Sequence, residues 1–122
     1  MGDIGVRPQD LRERTKQFSY RIIRLSQSLP KTREADVIGR QVLRSGTAVA
    51  ANYRATGRAR SRAEFIAKIG VVLEEADESA FWLECLSDNH ILPPERLSDL
   101  IVEANELIAI FASSRKTAKA NS

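Results

Sequence analysis

Apolar residues recur at steps of three and four along four separate stretches of this chain. No stretch sustains the strict alternation of a half-buried strand. The first stretch starts near Pro8, a residue suited to a helix's first turn. It presents Leu11, Thr15, Phe18, Ile22, Leu25 and Leu29 before Pro30 ends it. The second runs from about Arg33 to Gly57, a plausible C-cap, with Ile38, Val42, Ser45, Val49, Asn52/Tyr53 and Thr56 along one side. The third opens on Ser-Arg-Ala-Glu at residues 61–64. In that spacing the Ser61 hydroxyl and the Glu64 carboxylate satisfy free backbone N–H groups reciprocally, and Phe65, Ile69, Val72, Ala76, Ala80, Leu83 and Leu86/Ser87 follow. The fourth starts at Pro94, with Glu95 in its positive first turn, and presents Leu97, Leu100/Ile101, Ala104, Leu107/Ile108 and Phe111.

These spacings predict helices over 8–29, 33–57, 61–89 and 94–114, with 115–122 as a frayed tail. Four long helices with short connections predict an all-α fold: one domain over 1–122, built as an antiparallel up-down-up-down four-helix bundle. Its interior is expected to hold Phe18, Ile22, Val42, Val49, Phe65, Ile69, Leu83, Leu100 and Phe111. The chain's 122 residues suit one core better than two. Cys85 stands alone, so no intrachain disulfide is possible and a reducing compartment is the simpler expectation. No apolar run resembles a signal peptide or reaches the ~20 residues of a membrane span, so a cytoplasmic protein with no membrane partner is expected.

Charge is divided unevenly. Residues 1–68 hold 15 Lys/Arg against 6 Asp/Glu, whereas 69–111 hold Arg96 alone against 10 acids. Such a division speaks to partners rather than to fold. At about 100° per residue, Arg40, Arg44, Arg54 and Arg58 fall within about 40° of one direction on the second helix, opposite its apolar side. Arg60 and Arg62 extend this stripe across the following turn, and small residues such as Thr47 and Ala51 separate its members. A solvated polar face is the plain explanation, but such faces usually mix signs and this one does not. No aromatic platform for stacking bases accompanies the arginines in the sequence, so phosphates are their expected contact.

The third helix offers a second surface. Opposite its core side lie Glu74, Phe81 and Cys85, with Ala67 and Gly70 beside them and Val71 and Glu78 toward one flank. An outward aromatic among small residues and carboxylates reads as a subunit contact. Pairing of the basic stripe of one copy with the acidic strip of another would be heterologous, and heterologous contacts make rings when the rotation closes.

Catalytic chemistry is thinly represented. His90 is the only histidine and falls in an interhelical turn, no Cys/His metal spacing occurs, and Gly57 stands apart from any phosphate loop. Trp82 reads as packing at the bundle's edge. The chain reads as a non-enzyme with no cofactor, no metal and no small-molecule substrate.

From about Tyr20 to Leu86, and most clearly over "QVLRSGTAVAANYRATGRARSRAEFIAKIGVVLEEADESAFWLECL", the chain resembles the four-helix bundle proteins also called 23S rRNA-intervening sequence proteins. Gln41, Arg44, Asn52, Arg60, Ser61, Glu64 and Phe65 match frequent positions of that family. Ala55-Thr56 stands where many members have a Glu-Gly pair, so any role of that acid does not transfer. The resemblance implies a homopentameric bundle with a basic surface. Members are encoded within insertions in large-subunit rRNA genes, and related proteins accompany the reverse transcriptases of diversity-generating retroelements. The expectation is a homo-oligomer that binds RNA or DNA phosphates or serves as a scaffold. The alternative is a purely structural adaptor whose arginines meet the acidic strip of a neighbour.

Overall fold

The computed structural model describes residues 8–121, with side chains from Asp10 onward, so the expected domain's residues 1–7 and 122 lie outside the described residues. It contains four helices: α1 (Pro8–Gln27), α2 (Arg33–Thr56), α3 (Arg62–Asp88) and α4 (Pro94–Ala120). No strand occurs among the described residues.

Local chemistry fixes the ends. The Thr32 hydroxyl accepts a hydrogen bond from the Ala35 N–H at 3.1 Å and caps α2. Ser61 caps α3 by accepting from the Glu64 N–H at 3.0 Å. The Glu64 carboxylate reaches back one residue further than the capping-box spacing suggests and accepts from the Arg60 N–H at 2.7 Å. Gly57 caps α2 in an ordinary right-handed conformation, so the cap there does not depend on glycine's freedom. His90 takes the only positive φ of a non-glycine among the described residues, in the turn before α4.

Each helix runs antiparallel to the next. Ser19 donates to the Gly46 carbonyl, and Gly39 faces Leu29, so α1 descends as α2 rises. Ser79 donates to Ser45 at 3.0 Å across α2 and α3, and Gly70 faces Arg115 across α3 and α4. Arg14 on α1 reaches Glu103 on α4 and closes the ring of four. The α2–α3 and α3–α4 seams are extensive, whereas α1 and α4 meet over a small area. Phe18, Ile22, Val42, Val49, Ile69, Leu83, Leu100 and Phe111 are all buried as the periodicity requires. Phe65 is the exception: half-buried, it packs against the core from the rim.

Two findings depart from the sequence reading at helix ends. Proline ends α1 two residues early, at Gln27, because the residue before a proline is pushed out of the α region and the last turn unwinds ahead of it. At the other terminus α4 does not fray at 114 but continues to Ala120. Alanine, lysine and arginine are adequate helix formers, and Arg115 packs beside Gly70 of α3, so tertiary contact carries the helix onward.

Candidate nucleic-acid interface

Antiparallel packing decides which charges meet. α1 starts, α2 ends, α3 starts and α4 ends at the same pole of the bundle. With the α4 carboxylates that Arg14 reaches included, residues 10–16, 51–71 and 103–121 hold 11 Lys/Arg against 5 Asp/Glu. Three segments far apart in sequence therefore build one basic pole. Arg115, Lys116 and Lys119 belong to it because α4 stays helical. Cations at the carboxyl ends of α2 and α4 also complement the negative ends of those helices, which is the plain structural role for a part of this charge.

The six arginines of the sequence stripe divide in two. Arg44 is bound to Glu75 and Glu78 of α3, Arg40 to Asp36 at 3.1 Å, and Arg60 lies 3.6 Å from Glu64. Side chains of Arg54, Arg58 and Arg62 pair with no carboxylate among the described residues. Helical angle alone treats all six alike. The difference comes from carboxylates on α3, on the preceding turn of α2 and at the capping position.

Arg54 does not stand alone on its face. It shares a groove of about 520 Å³ between α1 and α2 with Arg12, Lys16 and Tyr20, floored by Ala50 and Ala51. Among the described residues Glu13 is the one acid on its rim, and its carboxylate accepts from Gln17 at 2.9 Å. Tyr20 is 41% exposed, and the Lys16 ammonium sits 5.9 Å from the centre of its ring, within cation–π range. The sequence reading found no aromatic beside the arginines. The structure supplies one from a different helix, and nothing in either helix's own periodicity points to the pairing. A second groove, between α1 and α4, is lined by Arg21, Arg24 and Arg96 over Leu25 and Leu100, and Arg96 donates to the Ser28 hydroxyl at 3.1 Å.

On α3 the outward strip is present in part. Ala67 and Glu74 are exposed, and Val71 and Phe81 keep 42% and 53% of their surface in water. Phe81 packs edge-on against Trp82 with centroids 4.8 Å apart. Glu78 is turned inward from this strip: its carboxylate holds Arg44 and accepts from the Trp82 indole N–H. Gly70 is half-covered by Arg115, whose Nε is buried without a hydrogen-bond partner among the described residues. Cys85 is half-buried, and burial first, then the carboxylates of Asp88 and Glu84, push its thiol pKa up. Such a thiol is disfavoured as a nucleophile.

Among the described residues no group of His, Cys, Asp or Glu side chains is placed to hold a metal ion, and no helix is long and apolar enough to cross a membrane.

The profile of the 23S rRNA-intervening sequence proteins matches residues 8–113, the greater part of the chain. The chain belongs to that family. A solved structure of a protein of unknown function from the S23 ribosomal protein family of Bacteroides thetaiotaomicron superposes with a TM-score of 0.82 at 31% sequence identity, covering 89% of this chain and 97% of that one. No curated protein matches the chain. Neither the family's description nor the solved neighbour's indicates an enzyme. The stretch on which the sequence resemblance rests, Gln41 to Leu86, lies wholly inside the matched span of this 23S rRNA-intervening sequence family member.

Proposed function

We propose that this member of the family is a non-enzymatic, self-assembling bundle that binds nucleic acid through phosphates at its basic pole. The observation that carries the reading is the concentration of 11 cations against 5 acids at that pole, with Arg54, Arg58 and Arg62 unclaimed by any carboxylate of the described chain. A solvated surface of ordinary composition interleaves signs; a surface that neutralises phosphates does not. Self-assembly is supported by α3, where Val71 and Phe81 are exposed beside Glu74. In the rival adaptor reading, the same arginines meet the acids of a neighbouring copy.

Replacing Arg54 and Arg58 together by glutamine separates the two. Oligomer mass by light scattering and retention of labelled RNA at two salt concentrations are measured on the same samples. The expected result is an unchanged mass, weaker RNA retention, and log affinity that falls with log salt by ~0.7–0.9 per phosphate neutralised. An intact assembly with undiminished RNA retention removes these arginines from the contact surface. A dissociated assembly favours the adaptor.

A further inference from the structure

We propose that the α1/α2 groove receives an unstacked base of a single-stranded nucleic acid, with Tyr20 as the stacking ring. This rests on the polyanion reading above and narrows it from nucleic acid in general to single strands. Four observations converge on the groove. Its size lies in the ordinary range for small-ligand clefts. Ala50 and Ala51 give its α2 wall small side chains, which leaves room for a flat ring to approach that helix. Arg12, Lys16 and Arg54 line it and supply charge for the phosphates that flank an inserted base, against Glu13 as the one acid of the described lining. Tyr20, two-fifths exposed, offers its ring between them.

An exposed tyrosine is by itself unremarkable, since much of any protein surface is apolar. What sets Tyr20 apart is the company. An aromatic face set among cations that no carboxylate of the described residues pairs is the pattern by which proteins hold single strands, the cations following the backbone and the rings taking successive bases. In a duplex both faces of each base are already stacked, so the ring has nothing to add there. Lys16 over the ring gives way in this scheme: its ammonium moves from the Tyr20 face to a phosphate when a base takes its place.

The test compares a short labelled oligouridylate, an abasic backbone of the same length and a duplex, each bound to the native chain, Tyr20→Leu and Tyr20→Phe. The native chain and Tyr20→Phe are expected to bind the oligouridylate more tightly than the abasic strand. Tyr20→Leu should lose roughly 5- to 150-fold on the oligouridylate, the range of one base–aromatic stack, and nothing on the abasic strand or the duplex. Unchanged abasic binding also certifies that Tyr20→Leu is folded. Equal binding of oligouridylate and abasic strand by the native chain overturns the stacking role and leaves the basic pole standing, as does a Tyr20→Leu chain that binds oligouridylate normally. If neither strand binds, the polyanion reading fails and the groove assignment falls with it.

Discussion

Gly46 of α2 packs directly against Ile22 of α1, and replacing it by alanine tests how tightly the bundle's centre is built. A Cβ at that position would stand 2.7 Å from Cγ1 and 2.8 Å from Cγ2 of Ile22, and 3.1 Å from its Cβ. Ile22 has no exposed surface, so it has nowhere to retreat. The helices must part instead, which stretches the 2.8 Å hydrogen bond from Ser19 to the Gly46 carbonyl. Overpacking of this kind costs ~1–3 kcal/mol. Alanine in a helix interior returns ~0.5–1 kcal/mol relative to glycine. The clash wins, and Gly46→Ala should lose about 0.5–2 kcal/mol in urea denaturation followed by circular dichroism at fixed protein concentration. Gly70→Ala is the control. Its Cβ would meet only the Arg115 side chain, Nε at 3.5 Å and Cζ at 4.0 Å, both ordinary contacts, so the full ~0.5–1 kcal/mol gain should appear. Ile22→Ala alone should cost ~2–5 kcal/mol. Because it removes both close γ carbons, Gly46→Ala made in that background should become neutral or stabilising. A Gly46→Ala chain as stable as Gly70→Ala, or a penalty that persists without the Ile22 side chain, would refute the steric argument.

Two further outcomes follow from polar groups on the bundle's flanks. Cys85 should alkylate with a pH inflection above that of an unstructured cysteine peptide, because a raised pKa leaves less thiolate at any given pH; Glu84→Gln with Asp88→Asn should move the inflection down, and iodoacetamide rates against pH measure both. Arg14 donates to Glu103 at 2.7 and 2.9 Å and to Glu106 at 2.6 Å across the least extensive seam, so Arg14→Met should cost about 1 kcal/mol in urea denaturation, and Lys at this position should recover only a part of it.

Periodicity made the bundle legible because burial in helices depends on residues three and four apart, which the sequence displays directly. The same logic located Val42, Val49, Ile69 and Leu83 without knowledge of the fold. It passed over Gly39 and Gly46, both buried, because a glycine adds nothing to an apolar stripe although its missing side chain sets the spacing of two helices. The candidate site was legible only within single helices. That Arg44 is claimed by Glu75 and Glu78, and that Tyr20 joins Arg54, depends on the register between helices, which no local pattern encodes. The end of α4 was hidden for a related reason. Residues 115–120 have little apolar periodicity of their own, and their helix rests on Arg115 finding α3.

The basic pole sits at an end of the bundle, while Phe81 of α3 lies along its side, with Val71 at the border between them. Ends and sides answer to different symmetry. If copies join through their sides about an axis running along the helices, rotation carries each pole onto the next at the same height. Every pole then lies on one face of the assembly, and the opposite face, formed by the α1–α2 and α3–α4 turns, has none. Such an object would have a front and a back: a strand of nucleic acid could cross from subunit to subunit on one face alone.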